Sequence, residues 1–205
     1  MDLVFFSYMQ PQTFVFFGQV GSGKGTQVKL LADFLRERSG REVICAGTGE
    51  GFRKFVGSGN YLAKLVQEKM EKGELQPDFL TTTIFMNLLA DSLEPEKHLI
   101  ADGYPRTIRQ SEDFESAMKF FDREKIKIIY LELSEEEAVK RNLLRGRVDD
   151  TEESLKQRLD EYKNNVVPAM NYFKEKEGYE ILVINGEQTI EKVHEEIINK
   201  LGYSD

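Results

Sequence analysis

The chain has 205 residues, 40% of them hydrophobic and 31% charged, which is typical of one globular domain and excludes a disordered chain. Its formal net charge of −8 argues against nonspecific binding to nucleic acid, because such binding needs a broad basic surface. The one cysteine, Cys45, excludes a disulfide framework and a cysteine-rich zinc site, and it favours a reducing compartment such as the cytoplasm. Cys45 lies in an apolar run, so we expect it to be a buried strand residue.

Residues 1–12 are largely apolar, but they carry an early acidic residue, lack a basic leader and are interrupted by a Gln-Pro-Gln sequence. They fit neither a signal peptide nor a membrane span, which needs about 20 apolar residues. We therefore expect a short N-terminal appendage before the first strand, and no association with a membrane.

Short apolar runs alternate with longer amphipathic segments along the rest of the chain. The apolar runs predict strands at Thr13–Phe17, Glu42–Ala46, Leu99–Ala101, Ile126–Leu133 and Ile181–Ile184. The amphipathic segments predict helices near 24–38, 61–72, 79–93, 107–121, 135–145, 151–177 and 189–201. Apolar strands that are each followed by a helix indicate a five-stranded parallel sheet covered on both faces, which is a three-layer α/β fold.

Local signals refine this α/β prediction. The segment 47–78 has two helical patterns and no strand, which is more than a crossover needs, so 47–76 is predicted to be a small helical insert that binds substrate. Asp150 with Glu153 forms an acidic capping pattern that would begin a helix. Gly202 follows the last amphipathic segment and is typical of a helix C-terminus.

A glycine-rich loop follows the first strand and has the sequence Gly18-Gln19-Val20-Gly21-Ser22-Gly23-Lys24-Gly25-Thr26. Glycines admit positive φ and let backbone N–H groups meet phosphate oxygens. The N-terminus of the next helix adds a partial positive charge, and Lys24 adds a full one. In the usual pattern Ser or Thr follows the lysine directly, whereas here Gly25 does and Thr26 comes next.

This loop, with glycine after the lysine, resembles that of the adenylate kinase and nucleoside monophosphate kinase family. The resemblance extends over residues 13 to about 200 and includes Thr48-Gly49-Glu50-Gly51-Phe52-Arg53, Asp102-Gly103-Tyr104-Pro105-Arg106 and Arg147-Val148-Asp149-Asp150. It implies a P-loop NTPase core at 13–205 and the reversible reaction ATP + AMP = 2 ADP. It also implies a monomer, with Mg²⁺ carried on ATP largely through water and with no zinc.

By this resemblance the ATP site consists of Gly21, Ser22, Gly23, Lys24, Gly25, Thr26, Arg141, Arg145 and Gln188. Lys24, Arg106, Arg141, Arg147 and Arg158 are the expected catalytic residues, because phosphoryl transfer needs aligned phosphates and neutralised charge rather than covalent chemistry. Arg141 and Arg145 lie four apart on one predicted helix, where like charges repel by about 0.2–0.5 kcal/mol. A solvated helix face can tolerate that cost, but convergence on triphosphate oxygens explains the pair better.

By the same resemblance the AMP site consists of Thr48, Arg53, Glu74, Leu75, Gln76, Gly103, Tyr104, Arg106, Gln110, Arg147 and Arg158. Asp102, at the end of the third strand, is expected to organise water around Mg²⁺. The amide of Gln110 can pair with an adenine edge, which favours AMP over UMP or CMP; otherwise Gln110 is a polar residue on an exposed helix face. Gln76 stands where the family usually has valine, which leaves base selectivity open.

Other functions remain as alternatives. A UMP/CMP kinase or a broad-specificity nucleoside monophosphate kinase has the same fold and reaction class. A nucleotide-binding regulatory or scaffold protein is disfavoured, because every charged position expected for transfer is present. A switch GTPase is disfavoured by Gly25 and by the absence of an N-K-x-D sequence. His98 and His194 fit no catalytic arrangement, so we expect them to be structural or exposed.

The lid over ATP is predicted to be vestigial, at 145–147. Long relatives carry a whole lid domain between the positions of Arg145 and Arg147, and short ones keep a brief loop, whereas this chain has only Gly146 there. Closure over ATP must then depend on the arginines and on the 47–76 insert.

We therefore expect ATP hydrolysis without an acceptor to be higher than in relatives with a lid, because the site excludes water less completely. The measurement is ATP turnover in the absence of any monophosphate, beside a relative that has a full lid. A background as low as that of the relative would contradict this expectation.

Overall fold

The structure is a computed structural model that describes residues 9–145 and 151–203, without the side chain of Arg145. Its strands are β1 Thr13–Phe17, β2 Val43–Gly47, β3 His98–Asp102, β4 Ile126–Glu132 and β5 Tyr179–Asn185. Its α-helices are α1 Lys24–Ser39, α2 Thr48–Val56, α3 Tyr61–Lys72, α4 Asp78–Ser92, α5 Ile108–Phe120, α6 Glu135–Arg145, α7 Glu152–Glu161, α8 Val167–Asn171 and α9 Ile190–Lys200. None of the helices in these ranges is long and apolar enough to cross a membrane.

The strands form one parallel sheet in the order β2-β3-β1-β4-β5, which confirms the predicted fold. β1 lies in the middle, where Phe16 pairs with Asp102 of β3 on one side and with Ile129 of β4 on the other. Parallel strands all end at the same edge of a sheet, so the loops that follow these five strands meet there.

Side chains of β1 alternate between the two apolar layers of the core. Phe14 and Phe16 pack with α1 and α9 on one face, whereas Val15 and Phe17 pack with α4, α5 and α8 on the other. Burying an aliphatic or aromatic side chain of this size stabilises the fold by about 1.5–3 kcal/mol. Burial on both faces explains why the run is apolar without alternation.

The helix predicted over 151–177 is interrupted and shorter than expected. α7 continues into a π-helical turn, Tyr162–Val166, and the helix ends with α8 at Asn171, so the predicted end at 177 was wrong. Pro168 has no backbone N–H to donate to the preceding turn. The N–H of Val167 instead donates to the carbonyl of Tyr162, which is the wider π-type bond.

The ends of the helices correct one prediction and confirm another. α7 begins with a capping box between Thr151 and Ser154, so the predicted pairing of Asp150 with Glu153 was wrong by one residue, and Asp150 lies outside the described residues. Gly202, with a φ of 74°, follows α9 as predicted.

The insert between β2 and β3 contains α2 and α3 and has a small apolar cluster of its own. Phe52 of α2, Val66 of α3 and Leu80 of α4 are its buried members. The amide N–H of Ala63 donates to the side chain of Asn60 over 2.8 Å, which caps the start of α3. Two helices and no strand are what the sequence predicted for this segment.

The described part of the predicted appendage, residues 9–12, is bonded to the core. The carbonyl of Met9 accepts a hydrogen bond from Nε of Arg41 over 3.1 Å. The carbonyl of Gln12 accepts one from the N–H of Leu99 over 2.9 Å. Residues 1–8 lie outside the described residues.

Cys45 is exposed, so the prediction of a buried cysteine was wrong. It lies on β2, which pairs only with β3 and forms an edge of the sheet in the described part of the chain. An edge strand has neighbouring backbone on one side only, so less of its surface is covered.

His98 is fully buried and has a structural role, as predicted. Its Nδ1 accepts a hydrogen bond from the N–H of Gln12 over 2.9 Å, and its Nε2 lies 3.0 Å from Oγ of Ser39. Because Nδ1 is an acceptor, the ring proton is on Nε2 and the imidazole is neutral. Burial, together with the positive charges of Arg41 and Arg123, lowers the pKa of His98 to about 4.

We expect the free energy of unfolding to fall by about 2 kcal/mol through His98 between pH 7 and pH 5, since one pKa unit corresponds to about 1.4 kcal/mol. The folded pKa lies below the ordinary value of 6.5, so the stabilisation is present above pH 6.5 and is lost as the pH falls toward 4. Urea unfolding at both pH values measures the loss. His98→Gln should flatten the pH dependence more than the control His194→Gln, and equal slopes in His98→Gln and the wild type would contradict the assignment.

Candidate active site

The phosphate loop joins the end of β1 to the start of α1 at Lys24. Gly23 immediately precedes the helix with a φ of 87°, and its carbonyl accepts hydrogen bonds from the N–H groups of Thr26 and Gln27 over 3.0 and 3.1 Å. Gly25 is helical, and a Cβ there would have no neighbour within 4 Å. Packing within the protein therefore does not require glycine at this position. Because Gly25 has no side chain, the space beside the start of α1 is open to a ligand.

Lys24 folds back over the loop that precedes it. Its Nζ donates to the carbonyl of Gly18 over 2.5 Å and to that of Gln19 over 3.0 Å. Oγ of Ser22, which is buried, lies 3.4 Å from the same nitrogen. The ammonium is therefore held beside the N-terminus of α1, where both add positive potential for an anion.

Two polar residues that the sequence analysis missed lie between the phosphate loop and the segments packed beside it. Gln19 is buried, and its Nε2 donates to the carbonyls of Leu133 and Ser134 over 2.6 and 3.0 Å, at the end of β4. Asn142 of α6 lies against Gly21, where a Cβ would come within 2.6 Å of its Nδ2. Their contacts are with distant parts of the chain, so no local pattern signals either residue.

Arg141 connects α6 to the turn that follows β5. Its Nε donates to Glu137 over 2.8 Å, and its Nη1 donates to the carbonyl of Gly186 over 2.9 Å. Gln188 lies in the same turn, and its Nε2 donates to Glu196 over 2.6 Å. Arg145, another predicted ATP residue, is the last residue of α6, and only its backbone is among the described parts of the structure. Arg147, a predicted AMP and catalytic residue, lies outside the described residues, as does most of the predicted lid at 145–147.

On the other side of the loop, three predicted AMP residues lie together at the ends of β2 and β3. Oγ1 of Thr48 and Nε of Arg106 both donate to the carbonyl of Gly103, each over 2.9 Å. Gly103 has a φ of 74°, and a Cβ there would lie 2.8 Å from Nη2 of Arg106. Glycine is favoured at this position, because the backbone has a positive φ and a Cβ would displace the guanidinium of Arg106.

Arg106 lies within the electrostatic influence of a second arginine. Burial lowers the pKa of Arg106, the carboxylate of Asp102 raises it, and the charge of Arg158 lowers it. Two guanidinium groups that repel each other near one carboxylate are stabilised by an added anion. The arrangement therefore suits a phosphate group.

Gln110 is only 1% exposed, so its interpretation as a polar residue on an exposed helix face was wrong. Its Nε2 donates to Asp78 over 2.8 Å, and its Oε1 accepts from the N–H of Arg106 over 2.8 Å. Asp78, which the sequence analysis missed, also accepts a hydrogen bond from Thr107 over 2.9 Å. The amide thus supports the backbone of Arg106, and its contact with adenine stays a prediction.

Some predicted residues have side chains that are turned to other contacts. Tyr104 is buried and stacks on Phe85 with a ring distance of 4.2 Å, so only its backbone is available to a substrate. Glu74 pairs with Lys69 over 2.6 Å. Of two further predicted AMP residues, Arg53 has an exposed side chain on α2, and Leu75 is half-buried.

Gln76, the departure from the family pattern, contacts α3. Its Nε2 donates to the carbonyl of Val66 over 3.1 Å. Its Oε1 is buried and has no hydrogen-bond partner among the described residues. This polar group therefore connects the turn after α3 to the helix itself.

Asp102 supplies a carboxylate at this edge of the sheet. It is the last residue of β3 and is half-buried. In the part of the chain that the structure describes, no three His, Cys, Asp or Glu residues cluster closely enough to hold a metal ion. Mg²⁺ commonly binds through one or two carboxylates, waters and substrate phosphates, so Asp102 fits a magnesium ion that arrives with a nucleotide.

Known proteins are similar in sequence to this chain over most of its length. The family model of adenylate kinase matches residues 16–178. The chain is 31% identical to the adenylate kinase of Corynebacterium diphtheriae over 188 residues, which cover 92% of this chain and 98% of that protein. It is 36% identical to the adenylate kinase of Prochlorococcus marinus strain MIT 9301 over 162 residues, 78% of this chain and 84% of that one. With the match spanning most of its length, the chain belongs to the adenylate kinase family of phosphotransferases.

Proposed function

We propose that this enzyme transfers a phosphoryl group reversibly between ATP and AMP, giving two ADP, and so balances adenine nucleotides. The strand order around the phosphate loop is the observation that carries the proposal. β1 brings Lys24 to the middle of the carboxyl edge, whereas β2 and β3 bring Thr48 and Arg106 to one side of it. β4 and β5 bring Arg141 and the turn at Gly186 to the other side. A donor and an acceptor phosphate can therefore approach one lysine from opposite sides.

In this proposal Lys24 and the phosphate loop bind the ATP phosphates, and Arg141 with Arg145 neutralises the oxygens of the triphosphate. Arg106 and Arg158 hold the AMP phosphate, and Arg147 is assigned to the same phosphate by the resemblance. None of these residues forms a bond to phosphorus. They align the attacking oxygen of AMP with the bond to be broken and neutralise charge on the group in transfer.

The remaining assignments follow from the same site. Mg²⁺ bound to ATP would neutralise phosphate charge, with Asp102 ordering its water shell. The insert 47–76 serves as the AMP-binding unit and, with the arginines, replaces the trimmed lid. We also propose a cytoplasmic monomer that binds neither membranes nor nucleic acid, because ligands for both phosphates come from a single chain of net charge −8.

The acceptor is tested by a coupled assay with ATP and each of AMP, GMP, CMP and UMP. We expect kcat/KM for AMP to exceed that for each other acceptor by at least about 100-fold, since a site that hydrogen-bonds one base leaves polar groups unpaired with another. The same panel with Gln76→Val tests whether the departure at Gln76 affects the preference.

A preference for UMP or CMP would replace the proposed acceptor with a pyrimidine nucleotide. Similar rates with all four monophosphates would indicate a broad-specificity enzyme. Tight ATP binding without turnover of any monophosphate would show a binding protein and contradict the enzymatic proposal.

Lys24→Met should lower kcat by at least about 100-fold in both directions, because it removes a fixed cation from the group in transfer. Lys29→Met is the matched control, since Lys29 is exposed on the same helix. Both variants should retain the circular dichroism spectrum of the wild type. If Lys24→Met kept kcat within tenfold of Lys29→Met, Lys24 would have no part in the transfer.

A further inference from the structure

The turn that follows α3 lies directly against α7, the helix that carries Arg158. Gly73 ends α3 with a φ of 76° and is buried. A Cβ at Gly73 would lie 3.1 Å from Cγ of Arg158 and would overlap with the carbonyl oxygen of Ser154. The turn therefore fits against α7 only without a side chain at this position.

Gly73 has both a positive φ and a close contact with α7, and another glycine of the insert has the first of these features without the second. Gly59, between α2 and α3, has a φ of 66°, and a Cβ there would have no neighbour within 4 Å. Its conformation alone favours glycine. Gly73 has the same conformational demand together with a close contact to α7, so a comparison of the two isolates the contact.

The segment of α7 that Gly73 touches is already held at its start. Ser154 is 1% exposed and forms the capping box with Thr151, whose side chain accepts from the N–H of Ser154 over 3.1 Å. Ser154 and Arg158 lie four residues apart, one helical turn from each other on the same face. The capping box holds the first turn of α7, and Gly73 packs against the face of α7 that carries Ser154 and Arg158.

From Gly73 the chain continues through residues 74–77 to Asp78 at the start of α4. Asp78 accepts hydrogen bonds from Gln110 and Thr107. Gln110 in turn accepts a hydrogen bond from the backbone N–H of Arg106. The same short segment thus contacts the helix of Arg158 at one end and the support of Arg106 at the other.

We infer that Gly73 is a positioning residue, whose bare backbone sets the place of Arg158 beside Arg106. This inference rests on the proposed function, in which the two arginines hold the AMP phosphate in line for transfer. A side chain at Gly73 would overlap with the carbonyl oxygen of Ser154 and contact the stem of Arg158, so it would push the turn and α7 apart. A displacement of about 1 Å at a group that aligns the reactants can cost about 100-fold in rate.

The test compares Gly73→Ala with Gly59→Ala in steady-state kinetics with ATP and AMP. Both substitutions impose an unfavourable backbone conformation, but only the first meets α7. We expect kcat of Gly73→Ala to be at least about tenfold lower than that of Gly59→Ala, with KM for ATP changed less than about twofold. Equal kcat values for the two variants would overturn the inference.

A second comparison shows whether Gly73 acts through Arg158. In an Arg158→Lys background, Gly73→Ala should lower kcat by less than about twofold, because coupled residues are not additive. An equal loss in both backgrounds would show that the substitution acts through the turn 74–77 instead, and it would overturn the inference.

Folding and the underlying reaction are checked separately. If Gly73→Ala does not fold, Gly73→Asn and Gly59→Asn repeat the comparison, since asparagine tolerates positive φ and still carries a Cβ. A wild type that fails to phosphorylate AMP would refute the proposed function. An active wild type with an unimpaired Gly73 variant would refute only the role of Gly73.

Discussion

β1 is buried on both faces and paired on both edges, and every part of the site is placed relative to it. Its central position puts the phosphate loop between the ends of β3 and β4. Because all five strands are parallel, their following loops meet at one edge. The apolar side chains of β1 thus do more than fill the core, since they fix where two nucleotides can converge.

Cations concentrate at this edge although the chain carries a net charge of −8. Lys24 is held by carbonyl oxygens of its own loop, and Arg141 is shared between Glu137 and the carbonyl of Gly186. Arg106 is partly compensated by Asp102 and opposed by Arg158. Backbone carbonyls hold Lys24 without neutralising it, whereas the carboxylates of Glu137 and Asp102 compensate part of the charge of Arg141 and Arg106. The charge that is not compensated gives positive potential for phosphate oxygens.

Glycine lies against a polar side chain at three points of the site. Gly21 contacts Asn142, Gly103 contacts Arg106, and Gly73 contacts Arg158. In each case the bare backbone allows a side chain from another part of the chain to approach closely. The glycine motifs are visible in the sequence, but their partners are not, because each partner is distant along the chain or reaches back across a turn.

The sequence by itself determined the strands, the phosphate loop and the family, since apolar runs and glycine–lysine spacing are local properties. The tertiary structure decided the burial and the contacts of individual side chains, which depend on segments distant along the chain. It buried Gln110 against Asp78, exposed Cys45 on an edge strand, and placed Gly73 beneath Arg158. Local pattern specifies which conformation a segment adopts, whereas burial and pairing depend on which distant segments pack beside it.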